Sequence, residues 1–212
     1  MRFVLAALAL GLACSAHARY GVRGDDPSYL EGRFELGPRL THLTLTDPST
    51  EASLPMGGIG IYARYRLSRR VGMEGTFDVV AADELGQLSV GEVVRVTAPF
   101  AVSVLWYFFP ESRWQLYLLA GVGVADHEIN YKALDQRLTY TTPLFQCGLG
   151  LQYRADTVRF DLSLRSLLME EQSEDMKLET TGPGDGSAGY SPRLGDRELQ
   201  GAMVNLGVNW GW

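Results

Sequence analysis

The final residues, Ala202-Met203-Val204-Asn205-Leu206-Gly207-Val208-Asn209-Trp210-Gly211-Trp212, alternate without a break. Ala202, Val204, Leu206, Val208, Trp210 and Trp212 make one wholly apolar face, and Met203, Asn205, Gly207, Asn209 and Gly211 make another that is almost all glycine and asparagine. Successive side chains of an extended chain point to opposite sides, so this stretch reads as a strand with one greasy face.

The same period recurs upstream. Trp114, Leu116, Leu118, Ala120, Val122 and Val124 share one face against Gln115, Tyr117, Leu119, Gly121 and Gly123, and before them the even positions from Val94 to Phe108 form an equally clean apolar row. Further strands are expected at Phe34 to Thr44, Gly58 to Leu67, Val71 to Val79, Thr141 to Tyr153 and Val158 to Leu168, which makes eight. Spans of this length suit the 9 to 11 residues with which a tilted strand crosses a bilayer. Pro38, Pro99 and Pro143 fall within strands, where proline cannot donate to the ladder, so bulges or frayed ends are expected there.

Connections alternate in length. Ser68-Arg69-Arg70, Pro110 to Arg113 and Arg154 to Thr157 are short, whereas 46 to 57, 80 to 92, 125 to 139 and 169 to 199 are long. Transmembrane barrels have short periplasmic turns, long external loops and, with an even strand count, both termini in the periplasm. The fold class expected is therefore all-β, an eight-stranded antiparallel transmembrane barrel over residues 34–212. Alternation alone also fits a soluble lipocalin-like barrel with its apolar face turned inward around a ligand. Aromatic residues near strand ends (Trp106, Phe108, Trp114, Tyr153, Trp210, Trp212) favour the membrane, as in interfacial girdles.

The beginning of the chain agrees. Arg2, the apolar run Phe3 to Ala13 and the small residues closing at Ala16-His17-Ala18 read as a cleavable secretory signal over 1–18, followed by a short periplasmic segment over 19–33. A lipoprotein signal acylated at Cys14 is the rival reading, although Gly11 stands where such signals carry a leucine-like residue. The apolar run is too short for a transmembrane helix, and no later stretch of 18 apolar residues exists. Cleavage would remove Cys14 and leave Cys147 as the only cysteine, which rules out an internal disulfide. The hydrophobic fraction of 46% alone would suggest an ordinary soluble domain, but a transmembrane barrel averages out to the same value. Cleavage takes Arg2 alone from 19 basic against 25 acidic residues, leaving about −7, so no basic footprint for nucleic acid is present.

The face opposite the apolar one collects Glu35, Arg39, Arg64, Arg66, Glu74, Asp78, Arg95, Arg159, Asp161 and Arg165. An eight-stranded interior is just wide enough for side chains to fill, so these charges are expected to neutralise one another in a packed polar lumen rather than to line an ion path.

The closing strand VNLGVNWGW, ending on Trp212, resembles the C-terminal signal of bacterial outer-membrane proteins. The hairpins WYFFPESRWQLYLLAGVGV and GLGLQYRADTVRFDLSLR look like those of the small OmpA/OmpX/OmpW-type barrels. This resemblance covers about 30 to 212 and implies a place in the outer membrane, with lipid and lipopolysaccharide around the barrel and recognition of Trp210 and Trp212 by the barrel-assembly machinery. It also implies a role in membrane integrity, adhesion or small-solute passage. The OmpA type often carries a peptidoglycan-binding domain after the barrel, and none is expected here.

No catalytic, cofactor or metal site is expected. Of the mature histidines, His42 lies at the outer end of the first strand and His127, in Asp126-His127-Glu128, at the start of the third long loop, both expected to be solvated. Neither shows the His-x-Ser spacing of barrel deacylases, nor a zinc spacing. Gly57-Gly58-Ile59-Gly60 and Gly121-Val122-Gly123 have no helix after them to cradle a phosphate and read as strand glycines making lumen space. The acidic loop over 170–198, with GPGDGSAGYSP inside it, is the place where a surface partner or bridging cations are expected if anywhere, although charge runs are usually just solvated. The function expected is structural or surface-interacting, with a narrow channel for small or hydrophobic solutes, or a lipid-modifying enzyme centred on His127, as alternatives.

Overall fold

The computed structural model describes residues 32–47, 52–85, 92–131, 136–155, 158–171, 177–180 and 197–211. Eight long strands form the wall: β1 (Phe34–Asp47), β2 (Ala52–Arg66), β3 (Val71–Leu85), β4 (Glu92–Tyr107), β5 (Trp114–Tyr131), β6 (Gln136–Ala155), β7 (Val158–Glu171) and β9 (Arg197–Gly211). A four-residue strand, β8 (Lys177–Thr180), pairs with the start of β6 within the last loop. Every wall strand is antiparallel to both neighbours, and the β1–β9 and β5–β6 ladders close the sheet into a ring. Eight barrel strands were expected from the sequence; β8 was not.

The register fixes the barrel's shape. Stepping across direct partners from Leu36 leads through Ala63, Gly75, Val102, Val122, Phe145, Leu168 and Gln200 to Thr46, ten residues further along β1. A stagger of this size round eight strands tilts them by about 40° from the axis, within the range closed barrels adopt. An interior of that girth is filled by side chains.

Of the bulges or frayed ends expected at the prolines, the bulges do not occur, since no ladder among the described residues slips register. Pairing is interrupted instead: β1–β9 lacks the rungs at Gly37 and Pro38, β3–β4 lacks those at Ala98 and Pro99, and β6–β7 begins at Leu144, just past Pro143. A missing N–H donor thus costs local rungs while neighbouring pairs hold the alignment.

The strands are also longer than the 9 to 11 residues expected, running from 14 in β1 to 20 in β6. Much of 46–57, 80–92 and 125–139, read as loop, is strand. Backbone pairing needs no lipid, so ladders continue past the apolar belt, where the outward positions become Asp126, Glu128 and Asn130 and the hydrophobic alternation disappears.

The apolar face points outward. In β9, Leu206 is 54% and Trp210 46% exposed, while Asn205 and Asn209 are buried. The same holds round the ring for Ile59, Val104, Val122, Leu164 and others, which decides against a lipocalin-like interior. On β5 the outward apolar run from Trp114 to Val124 rises about 25 Å along the axis at this tilt, the height of the apolar band of outer-membrane barrels. Tyr65, Trp106, Trp114 and Trp210 ring its lower edge at the end of the short turns, and Trp114 packs on Tyr153 with ring centroids 4.5 Å apart.

Candidate functional site

The lumen is the interior that the described strands enclose, and its contents come from the inward parity of every wall strand. Nearest the short turns, Arg159 pairs with Glu35, which also accepts from Gln152 Nε2 at 2.8 Å and Asn209 Nδ2 at 3.2 Å. Beside them Arg66 donates to Gln115 Oε1 at 2.8 Å and lies 3.4 Å from the centre of the Tyr107 ring, a cation–π contact.

One layer further in, Arg64 spans the barrel. Its Nε donates to Glu74 Oε2 at 2.5 Å, its Nη1 to Asp161 Oδ2 at 2.6 Å and its Nη2 to the Tyr117 hydroxyl at 2.7 Å. Glu74 in turn meets Arg165 Nη2 at 2.8 Å, so carboxylates and guanidinia alternate from β7 through β2 and β3 back to β7. Above this, Arg39 pairs with Asp78, which accepts a further bond from Thr41 Oγ1 at 2.7 Å. Glycines give the large rings room: a Cβ on Gly207 would stand 2.7 Å from Tyr62 Cε1, and one on Gly150 would strike the Tyr117 ring.

All of the charged residues read as lumen-facing, save Arg95, therefore gather in this buried layer. Arg95 sits nearer the long-loop end, half-buried, with its Nη2 donating to the Tyr140 hydroxyl at 2.8 Å. Arg33, not singled out in the sequence because the first strand was read from Phe34, is also buried and donates to the Gly211 carbonyl at 3.1 Å.

A second layer was missed entirely. Toward the long loops the inward positions turn apolar, and Leu43, Met56, Leu144, Leu167, Met169 and Met203 pack in one buried cluster across the lumen with Leu45, Val80 and Leu199. Leu43 and Leu45 share the parity of Glu35 and Arg39, so the signal was present in the alternation, one strand face passing from charged to aliphatic.

His127 corrects the sequence reading. It is no solvated loop residue but lies within β5, 2% exposed, because the strand runs on to Tyr131 and its parity turns it inward. Its Nδ1 lies 3.0 Å from Thr97 Oγ1 and its Nε2 3.1 Å from Thr142 Oγ1, with the ring stacked on Tyr140 at 4.7 Å. Both ring nitrogens are thus engaged by hydroxyls rather than by a carboxylate. His42, also expected to be solvated, lies within β1 and faces outward from the barrel wall opposite Gly57 and Val204. A shallow hollow of about 600 Å³ opens beside His127, lined among others by Asp126, Glu128, Arg137 and Tyr140. Trp210 lies on the outward rim at the turn end, whereas Trp212, the signal segment and most of the acidic loop 170–198 fall outside the described residues.

Comparison with known proteins agrees with this architecture. The family model described as outer membrane protein beta-barrel domain matches residues 4–210. Among solved structures, Neisserial surface protein A is 15% identical, covering 85% of this chain and 99% of its own at a TM-score of 0.55. The attachment invasion locus protein Ail of Yersinia pestis, in complex with the heparin analogue sucrose octasulfate, is 13% identical, covering 86% and 99% at 0.55. OprG of Pseudomonas aeruginosa is 13% identical, covering 86% and 96% at 0.54. Among curated protein sequences there is no significant match. At such identities the neighbours speak for the fold alone, while the family model spans nearly the whole chain: this protein belongs to the outer membrane protein beta-barrel domain family and resides in the outer membrane.

Proposed function

We propose that the protein is a non-conducting outer-membrane barrel with a structural or surface-interaction role and no catalysis of its own. The observation that carries this reading is the double filling of the lumen: a lattice of buried ion pairs around Arg64 and Glu74 below, and the aliphatic cluster around Leu43, Leu167 and Met203 above. An ion entering from the long-loop side meets the side chains of Leu43, Met56, Leu144, Leu167 and Met203, which offer it nothing in place of its hydration, a desolvation barrier that buried charges further in do not relieve. The engagement of both His127 nitrogens by threonine hydroxyls supports the absence of a histidine-based lipid hydrolase.

Specific contacts then belong to the long-loop end, above all to 170–198, with lipopolysaccharide or a surface partner, and the outward Trp210 with Trp212 serves the barrel-assembly machinery during insertion. That Ail was solved with a heparin analogue supports surface recognition as a use of such barrels. The aliphatic lining of the upper lumen favours one rival, passage of small hydrophobic solutes.

Planar-bilayer recording of the purified barrel tests the reading. No unitary current steps are expected; stable, reproducible steps would overturn it. Uptake of an apolar dye into vesicles that carry the barrel, without current, would instead support the rival.

A further inference from the structure

The two rims of the barrel differ in charge. At the turn end, Arg69 and Arg70 are exposed in the β2–β3 turn, Arg113 is exposed in the β4–β5 turn, and Arg154 lies half-buried near the end of β6. Backbone hydrogen bonds place Arg70 beside the end of β4 and Arg113 beside Arg154. The Tyr107 N–H donates to the Arg70 carbonyl at 2.8 Å, and the Arg154 N–H donates to the Arg113 carbonyl at 2.9 Å. These arginines therefore follow one another along the β3–β6 sector of the rim. Glu111 is the only acid among the described turn residues; it approaches Arg69 at 3.7 Å with both side chains largely in solvent, too loose to neutralise Arg69. The sequence adds Asp156 in the third turn, outside the described residues.

Exposed aromatics flank the same sector. Trp106 and Trp114 lie on the outer wall, Phe108 and Phe109 in the turn itself, the latter 63% exposed. The amphipathic indoles of Trp106 and Trp114 settle at the boundary between hydrocarbon and headgroups, which puts the arginines at the level of the lipid phosphates. The opposite rim carries Asp126, Glu128 and Glu170 on its outward face instead, and there Glu128 is paired with Arg137 at 2.7 Å.

We propose that the arginine rim formed by the β2–β3 and β4–β5 turns is a docking site for anionic phospholipid headgroups of the leaflet that surrounds the turn end. A guanidinium forks onto a phosphate through two parallel N–H donors. A zwitterionic headgroup offers its own ammonium to that phosphate, whereas phosphatidylglycerol or cardiolipin leaves it to the protein, so the rim selects lipids of net negative charge. Each interfacial arginine contributes about a fivefold gain in affinity. Arginines carried by two neighbouring turns suit a headgroup with two phosphates best.

The test uses the folded full-length barrel in nanodiscs of phosphatidylethanolamine doped with cardiolipin, with co-purifying lipid counted by native mass spectrometry. Wild type is expected to retain cardiolipin in excess of its share, and Arg70→Gln with Arg113→Gln to lose about 25-fold in that preference. Arg70→Lys with Arg113→Lys should keep part of it, and Arg137→Gln on the other rim should keep all. Heat-modifiable gel mobility reports that each variant is folded; should the double variant fail to fold, high salt applied to wild type must abolish the preference in the same way. No preference for cardiolipin in wild type, an unchanged preference in the folded glutamine variant, or retention of peptidoglycan fragments in place of lipid would overturn the proposal.

Discussion

Arg64 and Glu74 stand directly opposite each other on β2 and β3 and pair Nε to Oε2 at 2.5 Å in the middle of the lumen. Glu74 also holds Arg165, so a single carboxylate serves two buried guanidinia. Both arginines are buried, and removing their shared partner leaves charge that neither water nor lipid reaches.

Glu74→Gln is accordingly expected to cost about 3 kcal/mol or more, the penalty of breaking a buried pair from one side. Urea unfolding of the barrel folded into lipid vesicles measures it. A loss within about 1 kcal/mol would mean that the lumen is wetter than these contacts imply.

Space inside the barrel gives a second expectation. Gly207→Leu drives a side chain into the Tyr62 ring and is expected to lose about 1–3 kcal/mol by overpacking. Gly75→Ala, on the outer wall with nothing within 4 Å of the added carbon, should stay within about 0.5 kcal/mol of wild type. Paired unfolding curves for these variants check the two faces at once, and equal losses would contradict the assigned directions.

The wall gives a third. Leu206→Arg, near the middle of the belt, is expected to cost about 2–4 kcal/mol in a bilayer, and Gln200→Arg, outward but above the belt, about 0–1 kcal/mol. The difference should vanish if stability is measured in a water-soluble refolded state, and a barrel that refolds without detergent would contradict the membrane reading outright.

How much of this was legible in the sequence follows from what each face touches. Where lipid lies outside and polar groups inside, as along Trp114 to Val124 or Ala202 to Gly211, a period of two shows the strand, its direction and its lumen residues together. Above the belt the outside turns polar and the inside aliphatic. Leu36 and Leu40 point out on β1 while Leu43 and Leu45 point in, so the apolar stripe changes sides and the alternation reads as its end. That reversal hid the strand extensions, the inward turn of His127 and the aliphatic layer across the lumen. The prolines misled for another reason: a lost rung is tolerated when the ladders beyond it and on the other flank stay in register.

The most direct test returns to β9. In a Cys147→Ser background, single cysteines placed from Ala202 to Gly211 and carrying a fluorophore are exposed to a quencher confined to the bilayer interior. Strong quenching is expected at 202, 204, 206 and 208 and weak quenching at 203, 205, 207 and 209, a period of two with the apolar positions in lipid. Quenching at the odd positions instead, or the same quenching at all of them, would contradict a membrane-spanning barrel whose greasy face points outward.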